Sequence, residues 1–304
     1  SAASLCQGAF SLVIGTPDVL YGLRDGYGIR PLVYGYLGDK ESGHWVLSSE
    51  TCGLDIIGSS FVADVEPGEL VVFRYGDPTP KRHRWIEPTT RMCVFEMIYF
   101  ARPDSRFFGE SLYSYRQRIG QILACESEVE ADLVIGVPDS GIPAAIGFSQ
   151  KSGIPYADGL IKNRYVGRTF IQPTQAMREA GIRVKLNPLP DVLKGKRVLV
   201  IDDSIVRGTT SRKLVQALRD AGAIEVHMRI SSPPVTHPCF YGIDTDTQDQ
   251  LIAARLTLQE IEQHLKVDSL AYLSKEGMVE AAHAQSEHFC TACFDGNYPV
   301  PMDD

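Results

Sequence analysis

A broad cationic surface is missing from this sequence: Lys and Arg total 30 against 38 Asp and Glu, a net charge of −8. That argues against an extended nucleic-acid or anionic-membrane surface, while leaving room for a local basic pocket. Long apolar runs are missing too, since none approaches the roughly 18 residues that a membrane helix needs. The seven cysteines are odd in number and scattered, not laid out as a secreted disulfide framework. A reducing, cytoplasmic setting is the expectation that follows. There is no initiator Met and no basic flank of a signal peptide; Ser1-Ala2-Ala3-Ser4 passes straight into Leu5 and an apolar strand. On this reading the chain begins inside a domain. Internal repeats and low-complexity segments are absent as well.

What is present is ordinary for a globular protein: 44% hydrophobic and 22% charged residues. The 304 residues have room for two domains, each able to bury a core. Two textures divide them. Residues 8–75 carry short strand patterns (GAFSLVIG, VLYGLRD, PLVYGYLG, HWVLSSE, ELVVFRYG) separated by Gly, Pro and Asp turns, which predicts antiparallel β structure. A Pro- and charge-rich passage at 77–83 predicts a turn or linker, so the boundary is set at residues 80/81. From Cys93 onward strands alternate with helices: helix 111–126, strand 133–137, helix 143–151 and strand 224–230. Such alternation predicts a mostly parallel sheet.

Residues 197–213, RVLVIDDSIVRGTTSRK, organise the rest. Val198, Leu199, Val200 and Ile201 form an apolar run short enough for a strand buried on both faces. Asp202 and Asp203 follow where that strand would leave the sheet. Ser204, Ile205, Val206, Arg207, Gly208, Thr209 and Thr210 then lead into a helix with an apolar face of Leu214, Val215, Leu218 and Ala221. Gly208 allows a tight turn, and Thr209 or Thr210 can cap a helix whose first N–H groups favour an anion. The acids thus sit beside a phosphate cradle at the carboxyl end of a strand, where α/β sheets bind ligands. A nucleotide hydrolase would need G-x-x-x-x-G-K-[ST] upstream, but Gly195-Lys196 is followed by Arg197.

A second loop, Val137-Pro138-Asp139-Ser140-Gly141, could present N–H groups to another anion, with the Ser140 hydroxyl within reach of a metal. Alone it reads first as a plain turn, and it gains weight only beside the 202–210 loop, because a sugar diphosphate needs two anion sites. Residues 161–187 bring Lys162, Arg164, Arg168, Arg178, Arg183 and Lys185 together, as a solvated loop or as a lid over a polyphosphate. Cys290 and Cys293 have the C-x-x-C gap shared by zinc, redox, cluster and accidental pairs. Cys93 and Cys239 could complete a four-thiolate set, although spacing does not show that they converge. Cys6, Cys52 and Cys125 lie in apolar patterns that predict buried core thiols.

Several longer motifs occur in order: VPDSG, GLIKNRYVGRTFIQP, VLVIDDSIVRGTTSRK, ISSPPVTHPCFYGID and FCTACFDGNYP, with SSETCGLDIIG and EMIYFARPDS ahead of them. Together they resemble the glutamine phosphoribosylpyrophosphate (PRPP) amidotransferases of purine synthesis, over essentially the whole chain. The resemblance implies an α+β fragment of an N-terminal nucleophile glutaminase domain at 1–80. After it, at 81–304, comes an α/β type I phosphoribosyltransferase domain bearing a cysteine-containing tail. It implies that PRPP is held by Val137 to Gly141 and Asp202 to Thr210, and Mg2+ by Ser140, Asp202 and Asp203. It also implies a [4Fe-4S] cluster on Cys93, Cys239, Cys290 and Cys293, tying the tail to the transferase domain. Glutamine or ammonia would be the nitrogen donor, purine nucleotides the feedback inhibitors, and a homo-oligomer, a tetramer in the family, the assembly.

The family's glutaminase nucleophile is an N-terminal cysteine, whereas Ser1 leads here and Cys6 is internal. The expectation is therefore a fragment capable of the ammonia-dependent half-reaction, with no catalytic nucleophile assigned. Rival readings are a salvage-type phosphoribosyltransferase, which needs neither the β region nor the cysteines, and a PRPP-sensing DNA-binding regulator, which needs a basic helix-turn-helix. The β region and the net charge of −8 weigh against both.

Overall fold

A computed structural model describes residues 5–39, 43–163, 186–245, 247–283 and 285–300. They fall into two compact units. The first draws on Ser1–Leu112, Cys239–Asp244 and Ala284–Asp304; the second on Tyr113–Pro238 and Thr245–His283. The compact units thus divide after Leu112, whereas the change of sequence texture lies near residue 80. The cysteine-bearing tail, expected with the transferase domain, packs with the first unit instead.

In the first unit, strands β1 (Ser11–Gly15), β2 (Val19–Arg24), β3 (Val33–Leu37) and β4 (His44–Ser48) fall where the alternating patterns predicted them. Among the strands not foreseen are β5 (Ser60–Asp64) and β7 (Lys81–Arg84), the latter pairing antiparallel with β6 (Glu69–Arg74). The passage read as a linker therefore ends in an edge strand. Lys81, Arg82, His83 and Arg84 carry no apolar alternation to announce it, yet edge positions favour such charges. The antiparallel sheets are ordered β1-β2-β6-β7 and β4-β3-β5. Leu32, Tyr34, Val65, Val71 and Phe73 form a core against which Trp45 and Leu47 pack. Tyr34 meets Phe73 edge-on at 5.3 Å between centroids.

The loop after β2 is pinned by two buried charges. Arg24 donates to the carbonyls of Gly28, Arg30 and Val65 at 2.8 to 2.9 Å. Asp25 accepts from the N–H groups of Phe10 and Tyr27. Further on come β8 (Met92–Cys93), a π-helical turn at Glu96–Phe100, and a small hairpin of β9 (Arg106–Phe107) and β10 (Glu110–Ser111).

The second unit is built on the parallel sheet that the alternation predicted. Its strands β11 (Leu133–Gly136), β14 (Arg197–Asp202), β15 (Glu225–Ile230) and β16 (Ser269–Tyr272) lie side by side in that order. β12 (Leu160–Lys162) and β13 (Leu186–Pro188) form a separate antiparallel pair. Val198 to Ile201 on β14 are all inaccessible to solvent. Val198 and Val200 join Leu214, Val215 and Leu218 of helix Thr209–Asp220, so the predicted apolar face of that helix faces the sheet. The helix Ile142–Ser152 packs against β11 and β14. Among the described residues no helix is long and apolar enough to cross a membrane.

Candidate active site and thiol cluster

The two loops singled out in the sequence leave neighbouring parallel strands at the same end. Gly136, the last residue of β11, is in register with Ile201 on β14. One step beyond, the Val137 N–H donates to the Ile201 carbonyl at 2.9 Å, joining the loops at their roots. The 137–141 loop then closes on itself, with the Gly141 N–H donating to Val137 O at 2.9 Å. A Cβ on Gly141 would stand 2.4 Å from Ile201 O, so only glycine lets the loop lie this close to β14. Gly141 also caps helix Ile142–Ser152. Asp139 is exposed and paired with Lys162.

Asp202 ends β14, and Asp203 is the first residue beyond it. The Asp203 N–H donates to Asp202 Oδ1 at 3.0 Å, and the Ser204 hydroxyl to Asp203 Oδ1 at 3.4 Å. Burial raises both acids above the usual carboxylate range, Asp202 well above it because the Asp203 charge adds to the effect. For Asp203 the Ser140 hydroxyl, Asp202, the Ser204 N–H and the charge of Arg116 pull the other way. Ser140 and Asp203, one from each loop, therefore interact. The second oxygen, Asp203 Oδ2, is buried with no hydrogen-bond partner. An orphaned acceptor beside a second carboxylate suits a hard cation such as Mg2+, which takes oxygen ligands.

The 204–208 loop is held from below by Ile205, 1% exposed within the core. From the side, the Ile252 N–H donates to Val206 O at 2.9 Å and Arg207 Nε to Gln250 Oε1 at 2.8 Å. Gly208 has φ +76°, and a Cβ there would meet Ile252 Cδ1 at 2.7 Å. Gly208, not a threonine, occupies the cap position, and no side chain caps the helix. Thr209 and Thr210 are its exposed first residues. This corrects the expected threonine cap: the left-handed glycine already turns the chain, which leaves the first-turn N–H groups and both hydroxyls for a ligand. Gln250, Ile252 and Arg116 were missed, because nothing in their local sequence ties them to a loop so distant in the chain. Of the cationic stretch, Arg164, Arg168, Arg178, Arg183 and Lys185 lie outside the described residues.

The second assembly belongs to the first unit. β8 runs parallel to the strand Phe289–Cys290, with Cys93 opposite Cys290. Cys293 follows in the short helix Ala292–Asp295, braced by the Thr291 hydroxyl donating to Asp295 Oδ2 at 2.8 Å. Cys239 Sγ accepts from the Tyr241 N–H at 3.4 Å. The four thiols are electrostatic neighbours: Cys290 acts on Cys93, Cys239 on Cys290, and all three on Cys293. Burial pushes Cys93 up to about 12 and Cys290 up to about 11, and Cys293 well above the ordinary thiol value. Among the described residues no three His, Cys, Asp or Glu side chains stand ready around a single metal ion. Of the remaining cysteines Cys52 is buried, as expected, but Cys6 and Cys125 are exposed. Cys125 lies in the last turn of helix Leu112–Glu126, whose buried Leu123 and Ala124 had lent it an apolar setting.

Comparison with known proteins points to the same fold. Residues 117–231 match the phosphoribosyl transferase domain. Over 303 residues the chain is 69% identical to the amidophosphoribosyltransferase of Synechococcus elongatus, an alignment that covers 99% of this chain and 61% of that protein. The amidophosphoribosyltransferase of Bacillus subtilis is 48% identical over 307 residues, covering 99% of this chain and 63% of its own length. The solved structure of glutamine PRPP amidotransferase from B. subtilis, complexed with ADP and GMP, matches with a TM-score of 0.89 at 48% identity. That match covers 98% of this chain and 65% of the other. The chain thus spans about three fifths of the length of these curated relatives. Along nearly its whole length it is similar to amidophosphoribosyltransferases, and its second unit carries the phosphoribosyltransferase fold with its parallel sheet.

Proposed function

We propose that this chain belongs to the amidophosphoribosyltransferases of purine synthesis, and that its second unit forms 5-phosphoribosylamine from PRPP and ammonia. In that reaction the bond from ribose C1 to pyrophosphate breaks, ammonia attacks C1 from the opposite face, and the nitrogen gives up a proton. No protein nucleophile is required. The residues act by holding two charged ends and a sugar between them. The 5′-phosphate lies against the N–H groups and hydroxyls that open helix Thr209–Asp220. Asp202 and Asp203 receive the ribose hydroxyls, and loop 137–141 the pyrophosphate.

The single observation that carries this reading is the buried, unpartnered Asp203 Oδ2 beside Asp202, at the root of two adjoining anion loops. Ser140, Asp202 and Asp203 would hold Mg2+, which when bound supplies positive charge to the departing pyrophosphate. Glutamine is the ultimate nitrogen source of the whole protein on this reading, and purine nucleotides are its inhibitors. The assembly is a homo-oligomer working in the cytoplasm. Titration calorimetry with PRPP tests the reading. Binding should need Mg2+ and should be lost in Asp202→Asn and Asp203→Asn, whereas equal affinity in both variants would refute it.

In the first unit, Cys93, Cys239, Cys290 and Cys293 hold a [4Fe-4S] cluster. A cluster offers one iron to each thiolate, so it suits sulfurs gathered around a shell where no single ion is served. The support is the convergence of two strands, a loop and a short helix on four mutually interacting thiols. Iron supplies the charge that makes thiolates tolerable in so buried a place. Iron and acid-labile sulfide analysis of anaerobically purified protein tests it. Roughly four irons per chain is the expected result, and zinc alone would refute it.

A further inference from the structure

Arg30 stands where the segments bearing the cysteines meet. Its backbone is fixed before its side chain is considered, because Arg30 O accepts from Arg24 Nε at 2.8 Å and from the Ser11 hydroxyl at 3.1 Å. Next to it, the Cys93 N–H donates to Ile29 O at 3.0 Å, so the strand carrying Cys93 hangs on the same stretch of chain. The guanidinium then reaches in two directions. Nε donates to Tyr241 O at 3.0 Å, and Nη1 pairs with Glu96 Oε1 at 2.5 Å. Its Cζ also lies 5.1 Å from the centroid of the Phe100 ring. Tyr241 is the residue whose N–H holds Cys239 Sγ. At Gly242 a Cβ would come within 2.9 Å of Arg30 Nη2, so that loop fits closely round the guanidinium.

We propose that Arg30 is the positioning residue of the four-cysteine site, clamping the Cys239 loop against the Cys93–Cys290 strand pair and cancelling the buried Glu96 charge beside a bound cluster. The cluster part rests on the iron–sulfur reading above; the clamp does not. Arg30 is the cation that acts on both Cys93 and Cys290, and Glu96 is the buried anion that acts on Cys93. Paired, the two cancel. Arginine suits the position because its planar fork serves a carbonyl and a carboxylate at once, whereas a lysine ammonium at the end of a flexible stem does not hold both in one plane. Removing the cation takes the ion pair from the buried Glu96 carboxylate, beside groups that must become thiolates.

The test compares wild type with Arg30→Gln, Arg30→Lys and the double variant Arg30→Gln/Glu96→Gln, each confirmed as folded by circular dichroism. Two quantities are read: iron per chain after anaerobic reconstitution with iron and sulfide, and the alkylation rate of Cys239 in the iron-free chain. Arg30→Gln should hold several-fold less iron and alkylate several-fold faster at Cys239. Arg30→Lys should fall between it and wild type in both. The double variant should regain iron relative to Arg30→Gln while Cys239 stays fast, because charge balance returns and the clamp does not. Unchanged Cys239 alkylation in Arg30→Gln and Arg30→Lys would overturn the proposal. A wild-type chain that takes no iron would overturn the cluster reading alone, and the alkylation rates would still decide the clamp.

Discussion

Cys93 and Cys290 lie opposite one another in a parallel strand pair, although nearly the whole transferase-like unit separates them in sequence. The pairing fastens the tail within the first unit, helped by Arg91, which donates to the carbonyl of Glu287. Cys93→Ser should therefore abolish iron binding yet leave the tail partly docked. Limited proteolysis should show cleavage within 285–300 appearing several-fold sooner in the variant. Equal protection with full iron would remove Cys93 from the site.

The acid pair should make the magnesium-free chain less stable as pH rises. A carboxyl raised in the folded state binds its proton there more tightly than in the unfolded chain. The two states differ in protons bound between the ordinary carboxylate value and the raised one, and across that window stability falls with increasing pH. With chelator present, Asp202→Asn should melt above wild type at pH 7.5 and level with it near pH 3, below the unfolded value of 3.8. Magnesium should narrow the gap by stabilising wild type. Thermal melts at the two pH values check this, and a variant that melts below wild type at pH 7.5 would contradict it.

Gly141→Ala should distort the 137–141 loop. The new methyl meets a backbone oxygen at 2.4 Å, which cannot rotate away as a side chain would. The expected destabilisation is about 1–3 kcal/mol, with a weakened affinity for PRPP, measured by urea unfolding and calorimetry. A neutral outcome in both would show that the loop is looser than described.

Ile205→Ala should cost about 2–5 kcal/mol, since the side chain is buried in the main core and anchors the second loop from beneath. Because Arg207 and Val206 remain tied to Gln250 and Ile252, PRPP affinity should fall less than in Gly141→Ala. Comparing urea midpoints with binding constants separates the two roles.

Where the residues carry their own periodicity, the fold was legible. Val198 to Ile201 announced a strand buried on both faces, and Leu214, Val215 and Leu218 announced the face of the following helix. β7 was not legible, because Lys81 to Arg84 form a strand only by borrowing the edge of β6. Asp202, Asp203 and Gly208 signalled a ligand loop through residue type and spacing alone. The helix cap did not, since Gly208 and Thr209 are both acceptable caps and φ decides between them. Gln250, Ile252 and Arg30 escaped because their roles exist only once distant segments meet. The four cysteines stand between these cases: a C-x-x-C pair names two, but the strand register brings in Cys93.

The central claim is that the two strand-end loops form one PRPP site able to use ammonia. Pyrophosphate release from PRPP, followed with saturating ammonium salt at high pH with and without Mg2+, tests it most directly. Wild type should release pyrophosphate only with both ammonia and Mg2+ present. Asp202→Asn and Asp203→Asn should lose at least about a hundredfold in rate, roughly 2.7 kcal/mol of transition-state stabilisation, with unchanged circular dichroism. Near-normal release by either folded variant would show that its acid does not serve the reaction, and near-normal release by both would contradict the account.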